Sequence, residues 1–246
     1  MDNSLNKPAY EDIFVRNILL YGAEGVERLR NSRVTICGMG GVGSYITEAL
    51  ARSGIGALQL VDFDTIDISN LNRQLPGLLN TVGRPKVDVV TERIAQINSE
   101  CRVTAQMLRI TEENVATLGH SDYLLDAIDD LDGKVALINY AKQAQIPVAS
   151  SMGAGLRVAP EKLRLADISQ THTCPLAKRM RHELKKLGIY KGVNVVFSEE
   201  LPQKLQPRQE SDPLGRRPLG SSAFVPATAG LLLASLVVRE LIGIKR

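Results

Sequence analysis

The sequence is poor in the residues that build disulfide frameworks and soft-metal sites. Its 246 residues include three cysteines, Cys37, Cys101 and Cys174, and three histidines, His120, His172 and His182. The cysteines are odd in number and scattered, which excludes a disulfide framework, and no CxxC pair is present to hold zinc. The histidines fall at no metal-ligand spacing; His172 and Cys174 are close neighbours, but two donors do not make a metal site. No secretory leader is expected, because the opening MDNSLNKPAYEDIF carries acids and lacks an apolar core. The longest apolar run, AFVPATAGLLLASLVV, is 16 residues long and contains Pro226, Thr228 and Ser235. It falls short of the roughly 18 residues that a membrane span requires. A buried C-terminal helix is the expectation, with no membrane partner and a cytoplasmic setting. Internal repeats are also missing.

What is present is ordinary in bulk and uneven in distribution. A hydrophobic share of 44% and a charged share of 23% suit a soluble globular chain large enough to bury a substantial core. The net charge of +3 conceals a split between the halves. Residues 1–155 hold 14 Lys/Arg against 19 Asp/Glu, whereas residues 156–246 hold 16 against 8. A basic half points to a polyanionic partner; the competing reading is a set of solvated helix faces.

From residue 33 onward, strand and helix signals alternate. RVTICG (33–38) reads as a buried strand, followed by glycines and a helical stretch that Gly54 ends. ALQLVDFD (57–64) is a second strand. Val87, Val90, Ile94 and Ile97 step by helical intervals and share one helix face. RVTAQML (102–108) is β-like. TEENVATL (111–118) carries a helix-start pattern, with Thr111 and Asn114 as capping candidates and two acids in the first turn. YLLDAID (123–129) is a strand ending in carboxylates, LDGKVALINYAKQA a helix, and IPVAS (146–150) another strand. The alternation predicts an α/β, Rossmann-like fold, with a mostly parallel sheet and helices on both faces. Residues 151–155 form a small-residue segment, placed either as a hinge or as part of an acceptor site. Beyond them KLRLADIS and GVNVVFS read as added strands and CPLAKRMRHELKKLGI as a basic amphipathic helix. Residues 199–222 read as a long mobile loop before the last helix. Residues 1–155 would thus form an adenylation half with an N-terminal helical arm, and 156–246 a basic half within one continuous structural domain.

Gly38, Gly40 and Gly43, with Gly41 between them, satisfy GxGxxG between a strand and a helix. Glycines there let backbone approach a phosphate, and the helix N-terminus adds amide donors and partial positive charge. Asp62 ends the second strand roughly 20 residues beyond Gly43, where a carboxylate meets ribose hydroxyls. This much fits NAD as well as ATP. The segments that follow favour a triphosphate: DFD with Asp64, then Asn70 and Arg73 in NLNRQ, Lys86 in GRPK, and Asp129 closing DAID. Expelling pyrophosphate from an α-phosphorus calls for cations to disperse charge and a carboxylate to hold Mg²⁺. Asp130 competes with Asp129 for that role, and the DxxD spacing from Asp126 favours Asp129.

GMGGVGS, the DxD with NLNRQ, GRPK and the DAID segment resemble the activating enzymes of ubiquitin-like proteins and the bacterial adenylyltransferases of thiamine and molybdopterin synthesis. The resemblance covers roughly residues 10–155. It implies ATP as substrate, ribose binding by Asp62, phosphate contacts from Arg73 and Lys86 with Asn70 beside them, and Mg²⁺ on Asp129. It also implies that Arg16, in RNILLYG, reaches the ATP of a partner subunit, so that the enzyme works as a homodimer.

The second half bears on the activated carboxylate. The paired CxxC motifs usual among activators of sulfur-carrier proteins are missing, and no zinc is expected. DISQTHTCPLAKRMRHELKKLGI, VVFSEE and the PLGSSAFVPATAGLLLASLVVREL ending resemble instead the tRNA threonylcarbamoyladenosine dehydratases. That resemblance implies adenylation of the threonyl carboxylate, ring closure by a carbamoyl nitrogen and release of AMP. Candidate contacts to tRNA phosphates are Lys178, Arg179, Arg181, Lys185, Lys186 and Lys191, with Arg208, Arg216 and Arg217 in the loop. A sulfur-transfer protein partner and a monovalent cation stay open. So do three rivals: activation of a ubiquitin-like sulfur carrier; on the glycine fingerprint and Asp62 alone, a nicotinamide-dependent oxidoreductase; and a non-catalytic partner or RNA-binding module that retains a nucleotide pocket. Cys174 reads either as a reactive thiol near the site or as a helix-start residue before Pro175.

Overall fold

Short aliphatic and β-branched runs pair into one sheet because the central ones can bury both of their faces. In a computed structural model, which describes residues 9–204 and 219–244, the strands are β1 (Arg33–Cys37), β2 (Ala57–Val61), β3 (Arg102–Gln106), β4 (Tyr123–Asp126), β5 (Val148–Ser151), β6 (Leu163–Asp167) and β7 (Asn194–Ser198). Their order across the sheet is β3-β2-β1-β4-β5-β7-β6. All neighbours are parallel except β6, which pairs antiparallel with β7. β4 is buried along its whole length, as a strand covered on both faces must be, whereas the edge strand β3 has no fully buried residue.

The helices are α1 (Tyr10–Ile13), α2 (Val15–Asn31), α3 (Gly43–Arg52), α4 (Lys86–Ile97), α5 (Leu131–Gln143), α6 (Pro175–Lys186) and α7 (Phe224–Leu241). Alternate strand residues face opposite layers. Val34, Ile36, Leu58, Leu60, Tyr123 and Leu125 pack with α3, α4 and α7. Cys37, Val61, Leu124, Val195 and Phe197 pack with α5 and α6 on the other face. Val87, Val90 and Ile94 form the buried stripe of α4, with Ile97 against it. Because β5 pairs with β7, the second half of the chain extends the sheet of the first.

Among the described residues, α7 alone is long and apolar enough to cross a membrane by length and composition. Here Val225, Ala229, Leu233, Leu236 and Val237 are buried against the sheet layer. Residues 111–118 depart from expectation: they contain a single 3₁₀ turn, Val115–Leu118. The Asn114 side chain bonds Thr111 N–H at 2.9 Å and the Arg109 carbonyl at 2.8 Å, closing a local loop in place of a longer helix. The expected loop at 199–222 forms neither helix nor strand at 199–204 and 219–222, and its remaining residues, 205–218, lie outside the described part.

Leu233→Ala is expected to lower unfolding free energy by about 2–5 kcal/mol in denaturant titrations, since it empties a fully buried site on α7. Leu231→Ala, on the exposed side of the same helix, should stay within about 0.5 kcal/mol of the parent.

Candidate active site

The turn from β1 into α3 is tight enough to require glycine at two points. Gly38 adopts φ +94°, and a Cβ there would lie 2.5 Å from the Ala127 carbonyl oxygen. At Gly43, the first residue of α3, a Cβ would overlap the Gly38 carbonyl oxygen. Gly40 is different, for the nearest atom to a Cβ is Gln74 Nε2 at 3.8 Å. Gly41 packs under Pro226 and the Arg73 side chain, whose Cγ would lie 3.4 Å from a Cβ. Gly38 and Gly43 thus serve the fold of the loop, while Gly40 opens onto the cavity beside it.

Asp62 follows β2 and is buried. Its two oxygens accept Met39 N–H at 2.5 Å and Asp64 N–H at 2.8 Å, which fixes the carboxylate under the loop. Burial pushes its pKa above the usual aspartate value, against the opposing pull of the Lys86 charge and the two backbone bonds. Lys86 opens α4 with its side chain almost wholly buried, and its Nζ meets Asp64 Oδ2 at 2.7 Å. Asn70 is buried, its Oδ1 accepting Asp67 N–H at 3.1 Å to close a capping box. Arg73 is partly exposed, and its Nη1 donates to the Ser69 carbonyl at 2.8 Å and to Asn72 Oδ1 at 2.9 Å.

These groups line a cavity of about 350 Å³ with Gly38, Gly40 and Gly41 on one side and residues 151–155 and Leu176 on the other. Asp129 lines it too. The two adjacent carboxylates have separate fates. Asp130 Oδ1 accepts Gly133 N–H at 2.8 Å and caps α5. Asp129 is exposed and has no hydrogen-bond or ion-pair partner among the described residues, so it is free for a ligand. A carboxylate, a lysine and an arginine around a glycine loop have the charges and amide donors that suit a polyphosphate.

Not every residue expected at the site is brought to it. Arg16 is exposed near the start of α2 and does not line the cavity of its own chain. On α6, Lys178, Arg179, Lys185 and Lys186 are exposed, as is Lys191 beyond its end. Lys186 pairs with Glu183 at 2.6 Å. Arg181 leaves this set: it is half-buried, and its guanidinium bonds the Thr171 carbonyl at 2.8 Å and the Thr171 hydroxyl. Arg208, Arg216 and Arg217 lie outside the described residues. Cys174 is the buried N-cap of α6 with Pro175 at the first helical position, the structural member of its two readings.

Sequence reasoning missed a buried group beneath the site. Lys134 on α5 and Asp126 at the end of β4 form an ion pair at 2.9 Å, both side chains fully buried. The available signal was position: Lys134 shares the helix stripe of Leu131, Leu137, Ile138 and Ala141, where an unpaired lysine would be out of place. Phe63 and Arg109, stacked at 5.4 Å, also line the cavity and were overlooked.

The glycines provide a test of this geometry. Gly43→Ala should disrupt the loop, lowering both the melting temperature and ATP affinity. Gly40→Ala should leave the melting temperature near that of the parent and weaken ATP binding alone, as measured by calorimetric titration.

Comparison with known proteins agrees with the geometry. The chain is 46% identical over 239 residues to the tRNA threonylcarbamoyladenosine dehydratase of Bacillus subtilis (strain 168), covering 93% of this chain and 94% of that one. It superposes on the crystal structure of Escherichia coli tRNA N6-threonylcarbamoyladenosine dehydratase in complex with ATP with a TM-score of 0.88 and 35% identity, covering 96% of both chains. The AMP complex of the same enzyme superposes with a TM-score of 0.88 and 35% identity, over 98% of both chains. The sequence pattern of the ThiF family extends over residues 14–246, from the helical arm through the glycine loop to the last helix, and the chain belongs to that family.

Proposed function

We propose that this protein is an ATP-dependent tRNA threonylcarbamoyladenosine dehydratase. The observation that carries the proposal is the single cavity shared by the glycine loop, Asp62, Arg73, Lys86 and Asp129 on one side and the 151–155 wall on the other. It provides for a nucleotide and an acceptor side by side, in a chain similar along nearly its whole length to a dehydratase solved with ATP and with AMP.

The threonyl carboxylate is a poor electrophile because its leaving group would be hydroxide or oxide. In the first step a carboxylate oxygen forms a bond to the α-phosphorus of ATP, and the bond from that phosphorus to the pyrophosphate oxygen breaks. In the second, a carbamoyl nitrogen attacks the acyl carbon and AMP departs with the acyl–oxygen bond pair. The nitrogen loses a proton, the ring closes, and the nucleoside is lighter by one water. Since nucleophile and electrophile share one side chain, positioning alone provides a large effective molarity.

The residues divide this work. Asp62 accepts the ribose hydroxyls. Arg73 and Lys86 turn from their resting partners, Ser69, Asn72 and Asp64, to spread the charge of the phosphates. The residues present suit Mg²⁺. The described residues contain no cluster of three or more metal-binding side chains, and Mg²⁺ is commonly held by one or two carboxylates with phosphates and water. The free Asp129 fits that pattern. When bound, the ion neutralises phosphate charge.

Arg16 acts across a homodimer, and the exposed Val15, Leu19 and Leu20 beside it supply the apolar surface that such a contact would cover. tRNA lies along the exposed cations of α6, where Tyr190 offers a ring for stacking. The setting is cytoplasmic, and the basic second half takes the nucleic acid while the first half takes ATP.

The test is incubation with Mg²⁺, ATP and tRNA bearing threonylcarbamoyladenosine, followed by nucleoside mass spectrometry. Loss of one water, dependent on ATP and slowed roughly 100-fold or more in Arg73→Ala, is the expected outcome. An unchanged nucleoside from protein that binds ATP would reject this substrate in favour of a carrier-protein carboxylate.

A further inference from the structure

Beneath the cavity, the ammonium of Lys134 has three hydrogen-bond acceptors. Nζ donates to Asp126 Oδ2 at 2.9 Å, to Ser150 Oγ at 3.3 Å and to the Ser151 carbonyl at 2.7 Å. Asp126 is equally well supplied. Its Oδ2 also accepts from the Ser150 hydroxyl at 2.5 Å, and its Oδ1 accepts Ile128 N–H at 3.0 Å. Lys134 and Asp126 are fully buried, as is Ser150 between them.

Stability alone is a poor explanation for this arrangement. Removing two charges from water costs about as much as their attraction returns, and well-packed neutral residues often hold a fold as firmly. What an apolar pair cannot reproduce is the set of directed bonds. Through Ile128 N–H, Asp126 pins the turn that carries Asp129 into the cavity. Through the Ser151 carbonyl, Lys134 grips the first residue of the 151–155 wall on the acceptor side. The same ammonium therefore ties the carboxylate on the nucleotide side to the surface that faces the acceptor.

We propose that Lys134 is a positioning residue that, with Asp126 and Ser150, sets Asp129 and the acceptor wall relative to one another. It touches neither ATP nor acceptor. Its effect is to hold the backbone turn that carries Asp129 in one place, so that Mg²⁺ is taken up without the cost of ordering that turn. This rests on the reading of Asp129 as the Mg²⁺ carboxylate.

The experiment compares the full-length protein with Lys134→Met, with the double variant Asp126→Asn/Lys134→Met, and with Ser150→Ala and Asp129→Asn. For each, the melting temperature, ATP affinity without Mg²⁺, and the Mg²⁺ concentration giving half its effect on ATP affinity are measured. Lys134→Met leaves a lone buried carboxylate and should melt well below the parent. The double variant leaves no buried charge and should regain most of that loss. Its ATP affinity without Mg²⁺ should be unchanged, while its Mg²⁺ requirement rises roughly 10- to 100-fold, as loss of an outer-shell partner does. A parental Mg²⁺ requirement in the folded double variant would overturn the proposal and leave the pair a purely structural device. If the double variant does not fold, Ser150→Ala decides. Losing one donor to Asp126 should raise the requirement about 2- to 10-fold, and no change would overturn the proposal. Asp129→Asn separates the underlying reading: if it leaves the Mg²⁺ effect intact, the assignment of Asp129 fails first.

Discussion

The reversal of strand order between β1 and β4 is the constraint on which the rest of the structure depends. The two strands lie side by side and parallel, but the chain leaves β1 through α3 on one face of the sheet and leaves β4 through α5 on the other. The connections that follow their carboxyl ends therefore diverge to opposite faces and leave a crevice above the paired strand ends. The glycine loop enters it from β1 and the DAID turn from β4. Backbone contact joins the two, since Ala127 N–H bonds the Cys37 carbonyl at 2.8 Å and the Ala127 carbonyl excludes a side chain at Gly38. A parallel sheet covered on both faces leaves its strand ends open to a ligand, and here the cavity lies at that reversal.

Around the crevice, charge is held in readiness by internal partners. Lys86 rests on Asp64, and Arg73 rests on the Ser69 carbonyl and Asn72, while Asp62 is braced by two loop amides. A polyphosphate offers Arg73 stronger acceptors than those it holds, because charge-assisted bonds to phosphate exceed bonds to a carbonyl or amide oxygen, while Lys86 already holds a charged acceptor in Asp64. Asp129 needs no such exchange. The floor is the opposite case: Lys134 and Asp126 are sealed from solvent, and Lys134 has all three of its donors used, which suits the pair to fix geometry and not to bind.

The sequence made much of the fold and one side of the site legible. The strand–helix alternation, the glycine loop, Asp62 and the buried stripe of α4 depend on periodicity and backbone sterics that act within a few residues. The failures share another cause. The pattern at 111–118 looked like a helix start, yet Asn114 spends its side chain on Thr111 and Arg109 and stops the element at one turn. Arg181 belonged by spacing with the exposed cations of α6, yet Thr171 captures it. Lys134 lies within the expected helix LDGKVALINYAKQA and drew no reading of its own, since nothing near it in the chain announces Ser150 and Ser151 as its partners.

By itself, then, the sequence determined that a parallel α/β sheet would carry a glycine loop beside a carboxylate and two cations, because those signals are local. Only the tertiary structure gave Asp130 to the cap of α5 and left Asp129 at the cavity, placed residues 151–155 as the facing wall, and drew Lys134 beneath them. Each of those outcomes depends on which groups from distant segments share a low-dielectric space, and on the requirement that every charge taken into it finds a partner.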